Sequence, residues 1–141
     1  MAKVQMSINL GVPAEQVWEL IGSFNALPDW HPAVEKSEIE GEGTGSVRTL
    51  QLAGGGGTIR ERLEQIDDEG KVYSYSILSS PLPVLNYSST LRLREAEDGS
   101  GCTVEWESDF QPAEVAEKDA VEVIQGVYQA GFDNLKKIFG G

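Results

Sequence analysis

The sequence predicts an α+β domain: a curved seven-stranded antiparallel sheet wrapped around one long C-terminal helix, with a short helical segment after the first strand. Three observations carry this expectation. Residues 34–111 read as successive strands divided by turn residues. Residues 113–139 change to a helical period. One helix covers so many strands only if the sheet curls around it.

The elements follow in order. Over residues 3–10, Val4, Met6, Ile8 and Leu10 share one face, and Lys3, Gln5, Ser7 and Asn9 share the other, the pattern of a half-buried strand. Gly11 ends it. Pro13 suits a first helical position and Glu15 a first turn. Val17, Leu20, Ile21 and Phe24 then recur at helical spacing, giving a short amphipathic helix over 13–23. Residues 25–32 hold Pro28 and Pro32, so they form a loop or a single irregular turn and not a strand. Strands are expected at 34–40, 46–52, 58–66, 71–78, 86–95 and 102–110. The breaks between them are Gly41 to Gly45, the run Gly54 to Gly57, Asp67 to Gly70, Pro81 to Pro83 and Asp98 to Gly101. In the last helix, 113–139, Ala120, Ile124, Val127, Gly131, Leu135 and Ile138 keep a 3–4 spacing, and the first five of these should face the concave side of the sheet. Glu114, Glu117 and Asp119 near its start and Lys136 and Lys137 near its end suit the helix dipole. Gly140 supplies the stop.

The 141 residues fit one domain spanning 1–141, and 40% hydrophobic with 24% charged residues is ordinary globular composition. Eleven basic against 23 acidic residues leave a net charge of −12. That balance weighs against nucleic acids and anionic membranes as partners and serves solubility. Cys102, the only cysteine, permits no internal disulfide and reads as a small buried hydrophobe. One cysteine and one histidine do not make a zinc site, so no metal is expected. The glycine run lacks the Lys-Ser/Thr ending and following helix of a phosphate loop, and no cofactor is expected either. Neither a signal-peptide core nor a run of ~20 apolar residues is present. The expectation is a cytoplasmic chain without membrane insertion.

The strongest local signal lies in two neighbouring strands. Period-2 geometry puts Arg48 on a face with Leu50 and Leu52, and Glu61 on a face with Ile59 and Leu63. A four-residue loop from Ala53 to Gly56 pairs Arg48 with Glu61; a shift of two residues leaves them diagonal. Either register keeps them within cross-strand reach. Two readings stay open: a structural ion pair, or a polar anchor or acid/base pair inside an apolar pocket. Tyr87 and Ser89 share a face of one strand, and Trp106 and Ser108 share one of the next, as further ligand-contact candidates. Ile124 and Tyr128 add contacts from the helix. Tyr73 and Tyr75 point to the same side of their strand, and which side depends on whether a bulge is present. Trp30 is expected to plug the cavity mouth. His31 is read as a loop residue supported by its neighbours.

The element order resembles the helix-grip fold of the START/Bet v 1-like (SRPBCC) superfamily. The run Trp30 to Val34, the segment Gly41 to Arg48, Ile59 to Leu63, Pro81 to Pro83 and Tyr87 resemble its bacterial polyketide-cyclase/dehydrase and lipid-transport branch, including MxaD-like proteins. Plant lachrymatory-factor-synthase-like proteins are similar. The resemblance implies an apolar cavity between sheet and helix, and it implies catalytic use of an Arg and a Glu matching Arg48 and Glu61. The function expected is binding of a small hydrophobic molecule: a lipid, a polyketide or an aromatic metabolite. The alternative is a cyclase, dehydratase or isomerase in which Glu61 shuttles a proton and Arg48 stabilises an oxyanion.

Overall fold

The computed structural model describes residues 2–140. Strand β1 (Ala2–Leu10) leads into α1 (Ala14–Ile21) and a one-turn helix α2 (Leu27–Trp30). Five strands follow: β2 (Val34–Glu40), β3 (Val47–Leu52), β4 (Thr58–Asp67), β5 (Val72–Ser79) and β6 (Val84–Glu95). Strand β7 (Cys102–Pro112) and helix α3 (Glu117–Phe139) complete the chain. The strands make one antiparallel sheet in the order β1-β7-β6-β5-β4-β3-β2. This is the helix-grip fold.

The sheet register explains two inward-facing sets. Arg48 lies opposite Glu61 and Leu50 opposite Ile59, the register of the four-residue loop. In β4 the register slips between Leu63 and Gln65, so that Leu63 meets Tyr75 while Ile66 meets Tyr73. That extra residue is a bulge, and both tyrosines point into the interior.

Helix α3 begins at Glu117, four residues later than the periodicity suggests. The Ala113 N–H donates to the Pro83 carbonyl at 3.0 Å, which prolongs β7 alongside β6, and Glu114 takes a left-handed φ of 60°. A helix does not start through such a residue. The remaining 23 residues span about 34 Å at ~1.5 Å per residue. At the other end Gly140 adopts φ 68° and its N–H reaches the Lys136 carbonyl, the left-handed helix stop.

The buried stripe of α3 is Ala120, Ile124, Tyr128, Gly131, Phe132 and Leu135. Relative to the spacing-based expectation it is rotated toward the aromatic residues. Val127 is only half-buried, and Ile138 is 46% exposed. The rotation follows from Trp106 of β7, which stacks on Tyr128 with ring centroids 4.1 Å apart and also meets Phe132 at 6.0 Å. Gly131 sits where the helix presses hardest on its neighbours. A Cβ there would come within 2.9 Å of the His31 ring and about 3.1–3.2 Å of the Trp30 and Trp106 rings.

Two glycines of the same helix should therefore respond oppositely to alanine. Gly126 is exposed with open space around it, so Gly126→Ala should raise unfolding free energy by up to about 1 kcal/mol through helix propensity. Gly131→Ala should lower it by about 1–3 kcal/mol through overpacking. Urea denaturation of both variants checks the pair. Equal stabilisation would contradict the close approach.

Candidate functional site

Arg48 and Glu61 meet inside the protein, 1% and 5% exposed. Arg48 Nε donates to Glu61 Oε1 at 2.8 Å, and its Nη2 reaches the same oxygen at 2.7 Å. Nη1 donates to the Phe24 carbonyl at 2.5 Å. The guanidinium carbon lies 3.9 Å from the Phe24 ring centroid and 5.0 Å from that of Tyr75. A buried charge survives only when paired and hydrogen-bonded, and Arg48 has both kinds of partner. Burial works against its charge, but Glu61, with help from Tyr73 and Tyr75, more than compensates and the Arg48 pKa is raised. Burial also pushes the Glu61 carboxyl above the usual carboxylate range, with Arg48 pulling the other way. The bonds to Glu61 all fall on Oε1; among the described residues Oε2 has no hydrogen-bond partner.

Glu61 opens onto a cavity of about 260 Å³ between the β3–β5 part of the sheet and the first half of α3. Leu50, Ile59 and Ile77 supply its sheet wall, and Ile124 and Val127 its helix wall. Leu82 from the proline loop and Gly56 from the glycine loop line it at the strand ends. Its polar groups are few: Glu61, Tyr75, Tyr87, Trp106 and His31. Glu61 is the only Asp, Glu, Lys or Arg side chain among the lining residues.

Behind the cavity wall runs a chain of hydroxyls. Ser89 Oγ donates to the Glu107 carbonyl at 2.9 Å and accepts Trp106 Nε1–H at 3.1 Å. Tyr128 OH lies 3.1 Å from Ser89 Oγ and is also hydrogen-bonded to Tyr87 OH. Trp106 Nε1–H is shared with Tyr75 OH, again at 3.1 Å. Burial pushes Tyr75 and Tyr87 well above the ordinary tyrosine value and Tyr128 up to about 12.

Of the residues singled out from the sequence, Glu61, Tyr87, Trp106 and Ile124 line the cavity. Arg48, Ser89, Ser108, Tyr128 and Trp30 do not, and each has a physical reason. Arg48 is drawn behind Glu61 by its three hydrogen bonds. Ser89 and Tyr128 are held in the hydroxyl chain. Ser108 is buried, with no hydrogen-bond partner for its hydroxyl among the described residues. Trp30 is not a plug at the mouth: α2 turns the indole inward against Trp106, at 5.5 Å, in the space that Gly131 leaves.

His31 and Tyr75 are cavity residues that sequence reasoning did not place there. His31 is 2% exposed and clamps two elements together. Its Nε2–H donates to the Val127 carbonyl at 2.7 Å, and Nδ1 accepts the Ala33 N–H at 3.1 Å. Burial lowers its pKa, so the ring is neutral with both nitrogens engaged, which leaves it no base function. The signal for Tyr75 was its alternation with Tyr73; pairing opposite the inward-facing Leu63 decided its side.

The fold and site together define a small helix-grip scaffold with a near-apolar cavity. Residues 1–140 match the family described as polyketide cyclase/dehydrase and lipid transport, and the chain belongs to that family. The solved structure of XoxI from Bacillus cereus is 40% identical, with a TM-score of 0.92 over 99% of this chain and 96% of that one. The aromatase/cyclase Zhui from Streptomyces sp. R1128 shares the fold, with a TM-score of 0.73 at 21% identity over 97% and 95% of the two chains. The abscisic acid receptor PYL7 of Arabidopsis thaliana is 31% identical over 100 residues, 68% of this chain and 47% of the receptor. The chain thus spans about half the length of the receptors it matches.

All four tyrosines, Tyr73, Tyr75, Tyr87 and Tyr128, are buried with raised pKa values, which gives a pH signature. The unfolded chain ionises tyrosine near pH 10. Between about pH 10 and 12 the folded state therefore holds more protons than the unfolded one. Stability is intact below this window and falls as pH rises through it. Tyrosinate absorbance should stay flat past pH 10 and then rise in one step together with loss of the helical circular dichroism signal. A gradual titration near pH 10 in a folded protein would contradict the burial.

Proposed function

We propose that the chain binds a small, neutral, largely hydrophobic molecule in the cavity between the sheet and α3. The observation that supports this best is an apolar space of about 260 Å³ containing a single charged group, whose second oxygen is free. An apolar cavity of about 150 Å³ accommodates benzene, so this one suits a molecule of about two fused rings. A long-chain lipid or a sterol exceeds it without expansion. The receptors among the relatives take abscisic acid, a carboxylic acid. Here the lining offers a carboxylate and no cation, and the Arg48 charge is spent on Glu61. An anionic ligand would meet repulsion in a low-dielectric site.

A second reading has a specific observation behind it. A basic carboxylate with a free oxygen inside an apolar cavity is the arrangement of a general base. In a dehydratase or isomerase, Glu61 would take a proton from carbon next to a carbonyl. Arg48 does not face the cavity, so the hydrogen-bond donor available to the developing oxyanion is Tyr75, not Arg48.

Filling the space tests the first reading. Ile124→Trp should keep the melting temperature within a few degrees and abolish quenching of tryptophan fluorescence by neutral two-ring aromatics that bind the parent protein at micromolar levels. Quenching that survives the filled cavity would place binding elsewhere. Glu61→Gln separates the readings. Under the catalytic one, dehydration of a small β-hydroxyketone should fall about 10²–10⁴-fold with binding retained. Under the binding one, no turnover exists to lose.

A further inference from the structure

The hydrogen-bond directions around the cavity are fixed by elimination, and they specify the ligand's polar group. A backbone carbonyl only accepts, so Ser89 gives its one proton to Glu107 O. An indole N–H only donates, so Ser89 Oγ accepts from Trp106. Tyr128 OH, bonded to that same Ser89 oxygen, must then be the donor, because Ser89 has no second proton. With its proton spent, Tyr128 accepts from Tyr87. The chain runs Tyr87 to Tyr128 to Ser89 to Glu107 O, which leaves the Tyr87 oxygen able only to accept.

Tyr75 has the opposite character. Its oxygen accepts Trp106 Nε1–H, and among the described residues nothing accepts its own proton. Its ring lines the cavity on the strand next to Glu61. Among the described residues the cavity lining therefore holds one unused donor, Tyr75 O–H, and one unused carboxylate oxygen, Glu61 Oε2. An unpaired buried polar group is costly, so a ligand that engages both is favoured over one that engages neither.

Resting on the binding reading above, we infer that the ligand carries a hydroxyl group, an alcohol or a phenol, whose oxygen accepts from Tyr75 and whose proton goes to Glu61 Oε2. A hydroxyl is the smallest group that does both. An ether or ketone satisfies only Tyr75. A carboxylate meets Glu61 with like charge. A hydrocarbon leaves both groups unpaired. Tyr75 is then the residue that sets ligand class.

A set of probes of one shape and different polar group tests this: naphthalene, 2-methoxynaphthalene, 2-naphthol and 2-naphthoate at pH 7, titrated against the full chain by tryptophan fluorescence and calorimetry. 2-Naphthol should bind roughly 10- to 100-fold tighter than naphthalene, one neutral and one charge-assisted hydrogen bond ahead. 2-Methoxynaphthalene should fall between them, and 2-naphthoate should not bind. Tyr75→Phe should leave naphthalene affinity unchanged and remove about 5- to 10-fold of the naphthol preference. If that variant fails to fold, the order of the four probes on the parent protein decides alone. Equal affinity for naphthol and naphthalene would overturn the hydroxyl assignment while leaving the cavity reading intact. Tightest binding of 2-naphthoate would overturn it as well. A naphthol preference that survives in Tyr75→Phe would remove Tyr75 as its donor. Failure of every probe would end the cavity reading itself, and the hydroxyl assignment with it.

Discussion

A single helix has to cover the concave face of seven strands, and a helix about 10 Å wide does not reach across them. Helix α3 lies mainly over β1, with further contact to β7. That half of the interior is filled by stacked aromatic rings: Trp106 on Tyr128, Trp30 against Trp106, Tyr87 on Phe110. The other half, over β3 to β5, receives only the flank of the helix. Its side chains there, Ile124 and Val127, are too short to meet Leu50 and Ile59, and the cavity is the space left between them. The void follows from covering a wide sheet with one helix, and its position follows from which strands the helix sits on.

The buried ion pair belongs to the same geometry. β3 and β4 lie in the part of the sheet away from α3, so their inward side chains face thin cover. The Phe24 and Tyr75 rings both pack near the Arg48 guanidinium, and the Phe24 carbonyl takes a third hydrogen bond. The consequence for Glu61 is asymmetric. One oxygen is saturated by Arg48, and the other is left to the cavity. Burial then raises the proton affinity of that carboxyl despite its partner. The same pair that holds this part of the interior together thus leaves one reactive or ligand-facing atom.

The chemistry of the cavity follows from what the remaining lining does not contain. The hydroxyl protons of Tyr87, Tyr128 and Ser89 are all spent along their own chain, and His31 has both nitrogens bound. The polar character available to a ligand is concentrated at Glu61 and Tyr75. This is why a match to abscisic acid receptors or a structural likeness to an aromatase/cyclase does not carry their chemistry across. The scaffold is shared, and the few polar atoms facing the cavity decide what enters it.

The amino-acid sequence by itself determined the order of elements along the chain, the switch to a final helix and the cross-strand reach of Arg48 and Glu61. Each is a local property: alternation with period two, spacing of three to four, and a hairpin loop short enough to set register. It also carried the family motifs. Tertiary structure decided what depends on several elements at once. The register of β5 on β4, which sets Tyr75 opposite the inward-facing Leu63, turned Tyr75 inward, and the bulge that follows set Ile66 opposite Tyr73. Gly131 let α2 and β7 press against α3, which drew Trp30 into the core and rotated the buried stripe of the helix toward Tyr128. The Ala113 bond to Pro83 delayed the helix start. Arg48 and Glu61 were equivalent in the sequence, both charged and both on apolar faces. Only packing separated them: Phe24 from the segment after α1 covers the guanidinium, and nothing comparable covers the second carboxylate oxygen.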